Sequence, residues 1–239
     1  MIKERSNTRR YFSKKAVTMG TMVAIIPHLS KAIPVVDHTS DASGTDHTIL
    51  FQGDSITDGN RTRNNDWNHL MGHGYAYLIA SRLWHDYPKH GFHFFNRGIS
   101  GNKVTGLAAR WKQDTLEIKP TMLSILIGIN DTAIWVYGNK DYSVSQYESG
   151  YRSLLQLTKQ QLPNVELVLC EPFILPVGKV KEKWEDYFEE VQRRQQMVQR
   201  LSEEFDAIFV GFQSIFNKAL SKAPADYWIW DGIHPMPAG

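Results

Sequence analysis

The 239-residue chain is 42% hydrophobic and 12% aromatic, which is enough apolar material for one buried core without disulfides or a structural metal. Its formal charge of +2 is unevenly distributed, because seven of the 27 Lys and Arg residues but only one of the 25 acids fall in residues 1–32. The rest of the chain carries more acids than bases. We therefore expect no nucleic-acid partner, since proteins of that class present clustered basic surfaces.

Residues 1–32 are organised like an export signal. Arg9 and Arg10 form a twin-arginine pair, the apolar run "VTMGTMVAII" follows, and Ser30 and Ala32 have the small-x-small spacing of a cleavage site. This order resembles a bacterial twin-arginine signal and predicts a periplasmic or secreted protein; the alternative is a disordered basic tail. The apolar run is about half the length of a membrane-spanning helix, so we expect no stable membrane insertion.

Residues 33–47 are rich in Ser, Thr, Asp and Pro and lack apolar periodicity. That composition predicts a linker ahead of a single domain at residues 48–239. The single cysteine, Cys170, cannot form an internal disulfide, and its apolar surroundings predict a small core residue.

Five short runs in the domain are apolar on both faces, which is typical of buried parallel strands. They are "TILFQGD" (48–54), "FHFFNRG" (92–98), "MLSILIG" (122–128), "VELVLCE" (165–171) and "AIFVGF" (207–212). Helical spacing of apolar residues marks three of the intervening segments, 75–87, 144–162 and 184–205. The alternation predicts an α/β fold, a three-layer α/β/α sandwich around a five-stranded parallel sheet.

The residues that follow each strand are the first candidates for a functional site, because ligands of open parallel sheets bind beyond the carboxyl ends of the strands. The first strand runs into "GDSI", which places Ser55 at the start of a helix. A serine there is a preferred helix cap, and it is also a nucleophile where a base lies within hydrogen-bonding distance.

The base for such a serine could come from the end of the chain, where Asp231 and His234 are three positions apart. A carboxylate at that spacing can hold one imidazole nitrogen while the other nitrogen faces a serine hydroxyl. Taken alone, the pair favours a chance D-x-x-H pattern and a histidine that packs beside Pro235.

Two further strand ends carry hydrogen-bond donors of the kind that stabilise an oxyanion. "GISGN" places Gly101 in a tight turn with an accessible backbone amide, and "GIND" places Asn130 above the sheet. Gly and Asn are also common in ordinary turns, so neither residue is specific by itself.

Taken together and in this order, "GDS", "GISGN", "GIND" and "DGIHP" resemble blocks I, II, III and V of the SGNH (GDSL) hydrolases, an esterase superfamily. The stretches "GISGNKVTGLAARW", "SILIGIND", "LCEPF" and "WDGIHPMPAG" are most similar to its bacterial acetylxylan esterases and related carbohydrate deacetylases. The resemblance covers residues 48–239 and implies a flavodoxin-like sheet with the strand order two-one-three-four-five.

The same resemblance implies a role for each matching residue and no cofactor. Ser55 corresponds to the nucleophile, and Asp231 and His234 to the other members of a catalytic triad. The backbone amides of Ser55 and Gly101 and the side chain of Asn130 correspond to the oxyanion hole. In that family a closing helix follows the histidine, so we expect this helix to be missing here and the protein to be marginally stable or prone to aggregate.

Contacts with a sugar substrate are predicted near these residues. The candidates are Asp54, Arg61, Trp67, Trp135 and Trp230. Arg61 and Trp67 lie in a long polar loop after the nucleophile, and loops of that length are often functional. The tryptophans could equally be ordinary core or lid residues, because Trp is usually largely buried.

A metal site is the competing use of the histidines. His69 and His73 lie four positions apart, and three more lie close together in the chain, His85, His90 and His93. We expect no metal, because no cysteine accompanies them and no predicted helix clearly holds the first pair.

These patterns predict a serine esterase that hydrolyses acetyl esters on xylan-type polysaccharides or oligosaccharides through an acyl-enzyme. The alternatives are a lipase, thioesterase or lysophospholipase of the same superfamily, or an inactive carbohydrate-binding relative. Assembly into a homo-oligomer is left open by the sequence.

Overall fold

The structure, a computed structural model, describes residues 46–64 and 68–239. The predicted export signal, most of the predicted linker and Trp67 lie outside the described residues. In the part of the chain that is described, no helix combines the length and apolar character needed to cross a membrane.

Within the described residues, five parallel strands form one sheet in the order β2-β1-β3-β4-β5. They are β1 His47–Gly53, β2 Phe92–Asn96, β3 Met122–Leu126, β4 Glu166–Cys170 and β5 Ile208–Val210. The predicted fold class and strand order are confirmed. Each strand ends one or two residues earlier than predicted. β1 begins at His47, the last residue of the predicted linker.

Helices alternate with these strands. The described helices are α1 Ser55–Asp58, α2 Tyr75–Asp86, α3 Val104–Trp111, α4 Ile129–Val136, α5 Val144–Gln161, α6 Trp184–Glu204, α7 Phe212–Ala219 and α8 Ala225–Trp228. A π-helical turn, Lys112–Leu116, continues α3, and two 3₁₀ helices span Lys140–Tyr142 and Gly178–Lys183. The three predicted helices correspond to α2, α5 and α6. The others have eight residues or fewer, which is too short for their apolar periodicity to identify them.

The alternation of side chains along β1 shows that helices cover both faces of the sheet. Leu50 packs on one face with residues of α3 and α5, whereas Ile49 and Phe51 pack on the other face with Ala76 and Ala80 of α2. This is the expected arrangement for a sheet buried between two helical layers.

The sheet order determines where a site can form. β1 pairs with β3 as far as Gly53 and Leu126, so the segments that follow these two strands leave the sheet side by side. β2 lies on the other side of β1, which makes the end of β1 the point where the chain reverses its direction of winding. Ser55 follows β1 and Asn130 follows β3, so the two residues lie on either side of this point.

Candidate active site

Ser55 is the first residue of α1, immediately after β1. The helix is capped by Asp54, whose Oδ1 accepts a hydrogen bond from the Ile56 backbone at 3.0 Å. Capping by Asp54 leaves the Ser55 hydroxyl available, and its Oγ lies 2.7 Å from Nε2 of His234. At that distance the imidazole can accept the hydroxyl proton.

Asp231 orients the other side of the His234 ring. Its Oδ2 lies 2.8 Å from Nδ1 of His234, and its Oδ1 accepts hydrogen bonds from the backbone of Ile233 at 3.0 Å and of His234 at 2.8 Å. Burial raises the pKa of Asp231, but the hydrogen bonds from the His234 backbone and ring and from Ile233 outweigh it and lower the pKa to about 2. An ionised carboxylate accepts from Nδ1–H, which leaves Nε2 as the acceptor facing Ser55.

The loop that carries Asp231 and His234 is held to the rest of the fold at several points. An antiparallel bridge joins Ile229 to Pro235, and the Trp230 backbone donates to the His234 carbonyl at 3.2 Å. The segment after β4 braces the loop, because Leu175 donates from its backbone to the carbonyl of Gly232 at 3.1 Å. A histidine close to the last residue of the chain is therefore held in place.

Asn96, which the sequence analysis did not identify, holds α1, the helix that begins at Ser55, in place. It is 2% exposed, and its Nδ2 donates to the carbonyls of Thr57 at 2.6 Å and Met71 at 3.0 Å. Its Oδ1 accepts from the backbone of Gly98 at 2.9 Å. The available signal was an amide side chain as the last residue of a strand that contains three phenylalanines.

Asp58 is a second supporting residue that the sequence analysis missed. Its Oδ2 accepts from Arg63 at 2.7 Å and from the backbone of Ser100 at 3.0 Å. Burial raises the pKa of Asp58, but the hydrogen bonds from Arg63 and Ser100 outweigh it and lower the pKa below its usual range. The carboxylate thus ties α1 to the turn after β2.

The three predicted oxyanion donors follow three neighbouring strands. The Ser55 amide follows β1, and Gly101 lies in the turn after β2 with a φ of +80°, a conformation that favours glycine. Asn130 lies in the first turn of α4, after β3, and its Nδ2 donates to the Asn102 carbonyl at 3.1 Å. An amide group has two N–H donors, so the second one is available for a ligand.

Two buried carboxyl groups lie directly beside these donors in the chain. Asp54 is 1% exposed, and burial raises its pKa to about 7. Asp131 is 2% exposed, and burial raises its pKa to about 6. The sequence analysis predicted a substrate contact for Asp54. In this structure its side chain is enclosed and caps α1, and the substrate contact stays a prediction.

The other predicted sugar contacts occupy different parts of the fold. Arg61 is 8% exposed and donates from Nε to the Gly98 carbonyl at 2.9 Å, so it supports the turn after β2, and its contact with a substrate stays a prediction. Trp135 lies on α4 beneath the ammonium of Lys140, which is 3.9 Å from its ring centre, in a pocket whose lining residues do not include Ser55 or His234. Trp230 is 61% exposed, and its ring lies 6.2 Å from that of His234. Of the described candidates, Trp230 alone is both exposed and adjacent to the candidate base.

A cavity of about 470 Å³ borders Ser55 and His234. Its other lining residues include apolar side chains from α1, α2 and the end of the chain, namely Ile56, Tyr75, Leu78, Pro235 and Met236. Among residues 46–64 and 68–239, no group of three or more His, Cys, Asp or Glu side chains is arranged to hold a metal ion.

Known proteins are similar to this chain in both sequence and fold. An acetylxylan esterase from Geobacillus stearothermophilus is 33% identical over 204 residues, which cover 82% of this chain and 90% of that protein. The crystal structure of that organism's acetylxylan esterase Axe2 matches with a TM-score of 0.71 and 33% identity, covering 82% of this chain and 89% of the other. A crystal structure described as a GDSL-like lipase from Parabacteroides merdae matches with a TM-score of 0.76 and 43% identity, covering 80% of this chain and 88% of the other.

The family assignment agrees with these relatives. Residues 51–239 match the GDSL-like lipase/acylhydrolase family, so the match takes in the segments that contain Ser55, Gly101, Asn130, Asp231 and His234. The predicted resemblance to this superfamily is confirmed. The chain belongs to the GDSL-like lipase/acylhydrolase family and is a carboxylic ester hydrolase.

Proposed function

We propose that this enzyme removes acetyl groups from xylan-type polysaccharides or oligosaccharides through a covalent acetyl-serine. The observation that carries the proposal is the continuous hydrogen-bonded chain from Ser55 Oγ through the His234 ring to Asp231. Nucleophile, base and orienting acid in this order are the arrangement that serine hydrolases use on many folds.

In the first half of the proposed reaction, Ser55 Oγ attacks the acetyl carbonyl carbon while His234 Nε2 takes the hydroxyl proton. The carbonyl oxygen becomes an oxyanion and accepts hydrogen bonds from the amides of Ser55 and Gly101 and the side chain of Asn130. The bond to the sugar oxygen then breaks, and that oxygen takes the proton from His234. Asp231 stabilises the intervening imidazolium.

In the second half, water attacks the acetyl-serine carbonyl and His234 takes a proton from the water. The tetrahedral intermediate is bound by the same three donors. Collapse breaks the bond to Ser55 Oγ, which recovers the proton from His234, and releases acetate. Each half returns the proton, so the reaction requires no cofactor.

The relatives support the catalytic roles. Three crystal structures of Axe2 are described as catalytic mutants, in which a serine, an aspartate or a histidine is replaced by alanine. The replaced serine and aspartate are separated by the same number of positions as Ser55 and Asp231, and the histidine follows the aspartate at the same spacing as here. The acetyl-xylan substrate is proposed from the name of that relative and from the exposed Trp230 beside His234.

A second candidate function is a lipase, thioesterase or lysophospholipase. The apolar lining of the 470 Å³ cavity beside Ser55 favours it, because a longer acyl chain could occupy that space. The two functions differ in their dependence on acyl length.

The test is a set of hydrolysis rates for acetylated xylooligosaccharides and for p-nitrophenyl acetate, butyrate and octanoate, combined with fluorophosphonate labelling. We expect the acetylated sugars and the acetate ester to react fastest, and labelling to disappear in Ser55→Ala but persist in the control Ser221→Ala. Rates that rise with acyl length would instead support the second function. A folded protein that takes up no label would remove Ser55 from the mechanism.

We also propose that residues 1–32 export the enzyme, on the basis of the twin arginines and the apolar run that follows them. Replacing Arg9 and Arg10 together with lysine should retain the protein in the cytoplasm of a bacterial host with a twin-arginine system. Fractionation followed by immunoblotting measures this, and unchanged export of the variant would contradict the proposal.

A further inference from the structure

The carboxylate of Asp231 contacts a second cation besides the ring of His234. Lys179 Nζ lies 3.3 Å from Asp231 Oδ2, the same oxygen that lies 2.8 Å from His234 Nδ1. When His234 becomes protonated, one oxygen therefore serves two positive groups. A neighbouring cation lowers the electrostatic stabilisation that a carboxylate can give to an imidazolium.

Two glycines allow residues 177–179 to pack against the loop that carries Asp231 and His234. Gly178 has a φ of +54°, and a Cβ built on it would lie 2.5 Å from the Cα of Asp231. Gly232 has a φ of +93°, and its Cβ would lie 2.6 Å from the carbonyl oxygen of Val177. Because both positions lack a side chain, the two backbones touch, and the residue after Gly178 reaches Asp231.

Among residues 46–64 and 68–239, the other ionisable groups near Asp231 and His234 make different contacts. Tyr187 of α6 is neutral at working pH, because burial and the nearby Tyr137 and Asp231 raise its pKa to about 12. Lys183 lies at the end of the 3₁₀ helix that contains Lys179, and its Nζ is 4.7 Å from the centre of the Tyr137 ring. From α1, Ser55 faces the His234 ring, and His73 lines the cavity that His234 borders.

We propose that Lys179 is a positioning residue that holds Asp231 and weakens its stabilisation of protonated His234, which keeps the base unprotonated to lower pH. The proposal rests on the role of His234 given under the proposed function. Since the Lys179 side chain is 55% exposed, solvent screens its charge and the effect is modest and sensitive to salt.

The test compares Lys179→Met and Lys179→Arg with the parent, using kcat/KM for p-nitrophenyl acetate across the acid limb of the pH profile. Loss of the cation should move the midpoint of that limb upward by a few tenths of a pH unit, because His234 then stays protonated to higher pH. Lys179→Arg should restore the parent profile. The matched control is Lys181→Met, on the same helix and exposed, which should leave the midpoint in place.

A second readout separates this proposal from the proposed function. NMR titration of the His234 ring, assigned with a His234→Ala variant, reports its protonation without any turnover. The Lys179→Met titration should be shifted in the same direction, and about 1 M salt should reduce the shift. Superimposable titrations of parent and Lys179→Met overturn the proposal even if the enzyme is active, whereas a shifted titration supports it even if no ester is hydrolysed.

Discussion

Ser55 Oγ and His234 Nε2 lie 2.7 Å apart although 179 positions separate the two residues in the chain. Each is positioned by its own support. Asn96 holds α1 at Thr57, and the segment after β4 holds the loop that carries His234 through the bond from Leu175 to Gly232. The geometry of the candidate site therefore depends on contacts that involve β1, β2 and β4 together, and variants can test each part separately.

Replacing Asp231 with asparagine tests the orientation of His234. Asparagine keeps an oxygen for the backbone amides of Ile233 and His234, but its NH₂ group cannot accept from Nδ1–H, so the wrong tautomer is favoured. We expect kcat for p-nitrophenyl acetate to fall roughly 1,000- to 10,000-fold with little change in melting temperature. The control is Asp226→Asn, at an exposed site on α8, which should retain full activity. A kcat for Asp231→Asn within tenfold of the parent would contradict the proposed role.

Asp54 should make the protein less stable as the pH rises. The pKa of its carboxyl is about 7 in the folded protein and 3.8 in an exposed aspartate, so the unfolded chain releases this proton first. Stability from this group is therefore present below about pH 4 and is lost as the pH rises to 7. Asp54→Asn keeps an oxygen for the Ile56 amide but has no such dependence.

The measurement for Asp54 is urea unfolding of the parent and Asp54→Asn at pH 5 and pH 8. We expect the free energy of unfolding of the parent, relative to the variant, to decrease between these values by up to a few kcal/mol. An unchanged difference would show that the Asp54 carboxyl ionises normally.

Asn96→Ala should destabilise the protein and displace α1, the helix that begins at Ser55. The substitution leaves the buried carbonyls of Thr57 and Met71 without their amide donor. We expect a loss of roughly 2–3 kcal/mol in the free energy of unfolding, measured by chemical denaturation, and a lower kcat. Asn217→Ala, at an exposed position on α7, is the control and should cost less than about 0.5 kcal/mol. Equal effects of the two substitutions would mean that the Asn96 contacts do not stabilise the site.

Gly232→Ala should disturb the loop that carries Asp231 and His234 more than the strain of a positive φ alone would. A Cβ at Gly232 would lie 2.6 Å from Val177 O, whereas one at Gly138, which has a φ of +107°, would meet no atom within 4 Å. We expect Gly138→Ala to cost about 1–2 kcal/mol for the positive φ, and Gly232→Ala to cost more and to lower kcat. Thermal unfolding and kcat, measured side by side, make the comparison. Similar losses in both would contradict the close backbone contact.

Trp230→Ala tests an exposed aromatic residue that lies beside the candidate base. If the indole stacks on a sugar ring, KM for acetylated xylooligosaccharides should rise severalfold while kcat/KM for p-nitrophenyl acetate stays nearly constant. Parallel losses on both substrates would instead indicate that Trp230 supports the position of His234.

Much of the fold was predictable because its signals are local. The apolar runs of β1 and β3 and the periodicity of α5 and α6 lie in continuous stretches, and each was located to within two residues or so. The short helices α3 and α4 were not identified, since eight residues give barely two turns of periodicity.

The sequence analysis named the residues of the candidate site, but it did not predict what packs around them. The candidate residues follow strands or lie in one short motif, and the resemblance of these stretches to the SGNH blocks indicated them. They are Ser55, Gly101, Asn130, Asp231 and His234. The burial of Asp54 was not predicted, because burial of a side chain depends on what packs above it and not on its neighbours in sequence.

By itself, the sequence determined the succession of the five strands and three long helices along the chain and the chemical groups available at the strand ends, because periodicity and turn chemistry act over a few neighbouring residues. Only the tertiary structure decided that Asn96 supports α1, that Arg61 bonds to the turn after β2, and that Lys179 contacts Asp231. Each of these contacts joins backbone segments far apart in the chain, so each depends on how closely the segments approach in the folded protein.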